Sequence, residues 1–108
     1  VLALGAYPRV GQTLQFQLRD RRSADAELRH LAMEKVAENI RPFASLLFPC
    51  SGRGKHLFGL PNHDAEVLRE TFGSHASAGF FCNGEIGPVG GRNFVHGYTA
   101  SAALFSNP

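Results

Sequence analysis

At 108 residues, of which 44% are hydrophobic and 19% charged, the chain is sized for one packed core, since domains of roughly 100–150 residues are the common unit. This composition excludes a disordered, charge-swollen polymer. The formal charge is only +2, from 11 Lys and Arg against 9 Asp and Glu, and the basic residues scatter from Arg9 to Arg92 with no run beyond Arg21-Arg22, so no nucleic-acid partner is expected.

No apolar stretch approaches the ~20 residues that a membrane helix needs, so no membrane insertion is expected. The two cysteines, Cys50 and Cys82, the lack of an Asn-x-Ser/Thr acceptor and the lack of a leader-like opening lead to the expectation of a cytoplasmic location with free thiols. The apolar start on Val1 without Met is read as the edge of one module, residues 1–108, belonging to a longer protein.

In chain order, Val1 to Leu4 is a short apolar run stopped by Gly5 and Pro8 and is read as a strand. From Val10 to Arg19 the residues Val10, Leu14, Phe16 and Leu18 alternate with Thr13, Gln15, Gln17 and Arg19, the pattern of a half-wetted strand. Ser23 is placed as the cap of a first helix, with Asp25 and Glu27 in its first turn. Leu28, Leu31, Ala32, Val36 and Ile40 recur at helical steps, and Pro42 forbids continuation past Arg41. Phe43 to Phe48 reads as a strand buried on both faces.

Gly52, Gly54 and Gly59 interrupt the chain before a second helix capped by Asn62 or Asp64 and ended by Gly73. Ala78 to Cys82 is read as a further strand. Asn83 to Gly91 holds four glycines and a proline and is assigned no regular structure. Phe94 to His96 and Tyr98 to Phe105 are read as closing strands. The expected fold is α/β, a mixed sheet with two helices in the order ββαβαβββ.

A strand–helix–strand unit from Phe43 to Cys82 joins parallel strands, which brings Cys50 and Cys82 to one edge of the sheet. Ligands of open α/β sheets bind outside the carboxyl ends of the strands. Two glycine-rich loops leave from that edge. The first is Cys50, Ser51, Gly52, Arg53, Gly54. The second holds Cys82, Asn83, Gly84, Glu85 and Gly87.

Arg53 between two glycines presents a planar donor fork suited to a carboxylate or phosphate, or else is a solvated arginine on a tight turn. Glu85 either receives a ligand amine or clamps the amides of its own loop. Facing one crevice, the two charges complement a zwitterion. Facing each other, they form a salt bridge. Phosphate-loop chemistry is excluded, because Gly54-Lys55 is followed by His56 and Pro49 stands where the first loop glycine belongs.

Cys50 is either a buried structural thiol or a nucleophile with His56 or His96 as its base. No Cys-x-x-Cys or His-Glu-x-x-His spacing supports a metal. No cofactor and no catalytic residue are assigned.

The run Gly79-Phe-Phe-Cys-Asn-Gly-Glu-Ile-Gly-Pro-Val-Gly-Gly, followed by Asn93-Phe-Val-His-Gly-Tyr-Thr-Ala-Ser, resembles the C-terminal module of the FIST family. Gly52-Arg53-Gly54, Ala3-Leu4-Gly5, Gly11-Gln12 with Phe16, and Arg19-Asp20 extend the resemblance over nearly the whole chain. It implies a non-enzymatic sensory module of signal transduction that binds small ligands such as amino acids and follows an N-terminal FIST module in its parent chain. The alternative reading, which the sequence favours less, is a protein-docking role, such as recruiting substrates to a ubiquitin ligase. The expected ligand site comprises Cys50, Gly52, Arg53, Gly54, Cys82, Asn83, Gly84, Glu85, Gly87 and His96.

Overall fold

The computed structural model describes residues 1–108, and its regular structure begins where Asp20 caps a helix. The Asp20 carboxylate accepts hydrogen bonds from the amide and the hydroxyl of Ser23, both at 3.0 Å, which satisfies an otherwise unpaired N-terminal donor. Helix α1 therefore spans Arg21–Ala37, and Ser23 is the residue capped rather than the cap. The helix stops short of Arg41 because Asn39 turns left-handed at φ 63°, a conformation that asparagine tolerates.

After α1 come β1 (Pro42–Pro49), a 3-10 turn (Ser51–Arg53), α2 (Lys55–Phe58), α3 (His63–Phe72), β2 (Ala76–Gly79), β3 (Glu85–Val89), β4 (Arg92–His96) and β5 (Ala100–Ser106). The fold is α/β, with β1 at the centre of a mixed sheet of order β2-β1-β5. β2 runs parallel to β1, and β5 runs antiparallel to it. β3 and β4 form a separate antiparallel hairpin. No helix is long and apolar enough to cross a membrane.

Four sequence expectations are corrected. Neither Val1 to Leu4 nor Val10 to Arg19 forms a strand. The sheet is complete as β2-β1-β5 without them, no ladder includes either segment, and an alternating pattern makes a strand only where a neighbour pairs with it. Its apolar side chains accordingly lie open, Phe16 at 79% and Leu18 at 97%.

The stretch from Asn83 to Gly91 is regular in part, because Gly90 and Gly91, at φ 59° and 79°, make the two-residue turn that closes β3 onto β4. The glycine-rich connection after β1 likewise contains the 3-10 turn and α2 instead of an irregular loop. Finally, β1 is covered on one face only. Ala32 of α1 and Leu68 of α3 pack on Leu47 with Phe72 and Ala100, while the preceding residue, Leu46, points to the other face and is left open.

Gly79 is fixed by that sheet. It pairs with Leu47 across β1 and β2, and a Cβ there would overlap the Leu47 carbonyl oxygen. α1 and α3 are tied by Arg29, which bonds Asp25 at 3.0 Å on its own helix and Glu70 at 2.7 Å on α3.

Candidate functional site

The parallel ladder of β1 and β2 continues past Gly79 as a single bridge between Cys50 and Cys82. The Ser51 amide donates to the Cys82 carbonyl and the Cys82 amide to that of Pro49, each at 2.8 Å. On its other side Cys50 donates its amide to the Thr99 carbonyl, also at 2.8 Å. The ends of β1 and β2 and the approach to β5 thus meet at one edge. The two glycine-rich loops do leave from that edge.

From Cys50 the chain turns at once into the 3-10 turn, with the Gly52 amide donating to Cys50 Sγ at 3.4 Å. The Ser51 hydroxyl donates to Asn83 Oδ1 at 2.6 Å and so ties the first loop to the second. These contacts form one wall of a cleft of about 540 Å³, lined by Arg19, Cys50, Ser51, Gly52, His56, Asn83, Gly97 and Tyr98.

Arg19 arrives from the segment before α1, its guanidinium carbon 4.2 Å from the centre of the Tyr98 ring, a cation–π stack. A Cβ on Gly52 would come within 2.6 Å of Arg19 Nη1 and 2.9 Å of Tyr98 Cδ1, so the bare glycine backbone is what lets the stack lie against the turn. No ion pair in the fold involves Arg19. The cleft therefore carries a positive fork without a protein carboxylate to neutralise it.

The expected site residues divide between several places. Cys50, Gly52 and Asn83 line this cleft. Arg53 and Gly54 line a second one of about 410 Å³ with Leu47, Pro49, Asp64, Phe80 and Phe81 among its walls. There the Arg53 fork is already occupied: Nε and Nη2 bond the two oxygens of Asp64 at 2.8 and 2.9 Å.

Glu85 is buried, at 1% exposure, and lines neither cleft. Its Oε1 accepts the amide and hydroxyl of Thr99 at 3.0 and 3.2 Å, so it clamps the start of β3 to the approach of β5. Its Oε2 has no partner. The shared Arg53–Glu85 crevice of the sequence reading is thereby corrected, and so is their salt bridge, because each charge is held by a different neighbour.

Cys82 lines neither cleft, and its thiol donates to the Phe80 carbonyl at 3.5 Å. Gly84 lies against Val95 of the hairpin, and His96 Nε2 meets the Gly87 carbonyl at 3.0 Å across it.

His63 also lines the second cleft, stacked on Phe58 at 3.5 Å between ring centres. Its Nδ1 lies 2.9 Å from Asp64 Oδ1 and its Nε2 2.7 Å from Asp25 Oδ1. Burial raises the Asp25 pKa, but the hydrogen bonds from His63 and Arg29 outweigh it and hold the carboxyl below its usual range. A continuous polar chain from Arg53 to Glu70 therefore braces the 3-10 turn against both long helices.

Sequence reasoning missed Arg19 and Tyr98 as cleft residues. Arg19 was read as the wet side of a strand, and Tyr98 as the start of another. The one available signal was Gly97, which breaks the closing strands immediately before Tyr98 takes a left-handed turn at φ 58°.

The uncharacterized protein Rv0628c of Mycobacterium tuberculosis is 48% identical over 106 residues, covering 96% of this chain and 27% of the relative. The uncharacterized protein Mb0898c of Mycobacterium bovis is 51% identical over 98 residues, covering 89% of this chain and 25% of the relative. The chain thus spans about a quarter of the length of these curated relatives. A family profile described as the FIST C domain matches residues 1–88, which take in both loops, the Cys50–Cys82 bridge and all of the first cleft except Gly97 and Tyr98. The chain belongs to the FIST C domain family, whose modules are associated with signal transduction.

Proposed function

We propose that this chain is a sensory module whose first cleft takes a small anionic ligand, an amino acid held by its carboxylate being the expected case. The observation that carries this reading is Arg19: a guanidinium stacked on Tyr98 at 4.2 Å, at the mouth of a cleft, with no carboxylate partner of its own. Such a fork matches a carboxylate with two parallel hydrogen bonds. The Ser51–Asn83 pair and the peptide groups of Gly52 and Gly97 supply further polar contacts. A volume of about 540 Å³ suits a small molecule, as ligand sites commonly fall at about 300–1,000 Å³.

The reading is one of binding without turnover, in a cytoplasmic setting. A second reading, docking of another protein, draws on the open apolar residues of the hairpin, Ile86 at 67% and Val95 at 75%.

Calorimetry of the full-length protein with a panel of amino acids, simple carboxylates and inorganic phosphate tests the proposal. Charged hydrogen bonds contribute about 1.5–3 kcal/mol each, so Arg19→Ala weakens binding by roughly tenfold or more. Lys35→Ala, on the last turn of α1, leaves it unchanged. Absence of binding across the panel, or an Arg19→Ala protein that binds as tightly as the parent, overturns the ligand reading in favour of docking.

A further inference from the structure

We propose that Cys50 and Cys82 are a redox-active pair, which mild oxidation joins in an intramolecular disulfide across the ends of β1 and β2. The inference holds whether or not the neighbouring cleft takes a ligand. It starts from the ladder: the two residues are direct partners in a parallel bridge, and both thiols are free. Directly opposed residues of neighbouring strands project to the same face, and their strands lie about 4.8 Å apart. That spacing falls inside the window of roughly 4.4–6.8 Å between Cα atoms that a disulfide spans. Closing the bond requires rotation of both side chains and a small approach of the two strand ends, because a disulfide also brings the Cβ atoms to about 3.5–4.5 Å.

Only weak contacts hold the two sulfurs where they are. Cys50 Sγ accepts the Gly52 amide at 3.4 Å, and Cys82 Sγ donates to the Phe80 carbonyl at 3.5 Å. Their exposure differs in a way that orders the chemistry. Cys50 is buried and Cys82 is half-buried, so an oxidant in solution meets Cys82 first. A hydroperoxide transfers one oxygen to Cys82, giving the sulfenic acid and releasing the alcohol, or water from hydrogen peroxide.

Cys50 then attacks the Cys82 sulfur. The S–S bond forms, and the S–O bond breaks, with the oxygen leaving as water together with the Cys50 proton. In sum the two thiols lose two electrons and two protons, and the O–O bond of the hydroperoxide is reduced. The consequence for the cleft is direct. Cys50 Sγ leaves the Gly52 amide, and Gly52 is the residue on which the Arg19–Tyr98 stack rests.

The test treats the native full-length protein with limiting hydrogen peroxide, counts thiols and maps linked peptides after digestion without reductant. The expected result is loss of both the Cys50 and Cys82 thiols within one chain, an intact mass lower by about 2 Da for the two hydrogens, and full reversal by dithiothreitol. Closure in the folded protein is roughly tenfold or more faster than in denaturant, because the ladder holds the thiols together. Cys82→Ser, at a half-buried position, abolishes the cross-link and serves even where Cys50→Ser fails to fold. Oxygen added to Cys82 with Cys50 still titratable, a disulfide only between chains, or equal closure rates in native buffer and denaturant each overturns the proposal.

Discussion

The guanidinium of Arg53 and the carboxylate of Asp64 meet through two parallel hydrogen bonds of 2.8 and 2.9 Å, with only 7% and 4% of their side chains exposed. A pair so deeply shielded makes Arg53 a structural arginine. Removing one member leaves the other charge buried without a partner, which is strongly destabilising at about 3–5 kcal/mol. Asp64→Ala is therefore expected to lower the denaturation midpoint sharply in urea titrations. Arg53→Ala should do the same while leaving ligand affinity intact in whatever fraction remains folded. An Arg53→Ala protein of normal stability would show that the pair does not brace the turn.

Gly79 and Gly52 both lack room for a side chain, but they should fail differently. At Gly79 the obstacle is the Leu47 backbone carbonyl, which cannot step aside without parting β1 from β2. Gly79→Ala is expected to destabilise the fold by at least the ~1–3 kcal/mol typical of overpacking, read from the urea midpoint. At Gly52 the obstacles are the ends of Arg19 and Tyr98, which can swing away. Gly52→Ala should leave the midpoint nearly unchanged and weaken the ligand contacts of Arg19 in calorimetry.

Acid should loosen the brace between α1 and α3. Asp25 titrates below its ordinary 3.8 in the folded protein. Its stabilising contribution is therefore complete above the unfolded value and is lost as pH falls through the lower folded one. Asp20, held low chiefly by the Ser23 amide and then by its hydroxyl, acts in the same direction at the start of α1. Circular-dichroism melts as the pH is lowered through and below about 3.8 should show a steep loss of stability in the parent and a shallower one in Asp25→Asn. Parallel acid limbs for the two proteins would dissociate Asp25 from the effect.

The segment ahead of Asp20 should be the first part of the module to be cleaved. Its backbone bonds are confined to one turn, where the Gln12 amide donates to the Arg9 carbonyl at 3.1 Å and the Arg9 amide to Gln12 Oε1 at 2.7 Å, and Phe16 stands open at 79%. Backbone without ladder bonds or buried contacts opens at little free-energy cost. Limited chymotrypsin digestion of the isolated 108-residue module is expected to cut after Phe16, at its bond to Gln17, before any site between Arg21 and Ser106; Pro8 protects the bond after Tyr7. Early cleavage within β1 or α3 instead would place the weakest point elsewhere.

The sequence by itself determined the features that depend on neighbours along the chain. The helical spacing of Leu28, Leu31, Ala32 and Val36, the apolar run from Phe43 to Phe48 between prolines, and the Gly73 stop all produced the expected elements, because period and capping are local. The strand–helix–strand order was enough to bring Cys50 and Cys82 to one edge of the sheet, since a crossover of that kind makes the strands parallel, but their direct pairing depends on register. The Gly90-Gly91 turn was equally local and equally readable, yet the density of glycine around it concealed the hairpin.

Only the tertiary structure decided which charges face one another. Asp64 lies eleven residues from Arg53 and one turn of chain path could have sent it anywhere around α3. The alternation of Val10 to Leu18 promises a strand, but a strand exists only where another pairs with it, and the sheet β2-β1-β5 forms without this segment. For the same reason Arg19, the cation that the cleft leaves unpaired, could not be told from a wetted strand residue: its role depends on Tyr98 and Gly52, brought to it by the sheet rather than by the chain.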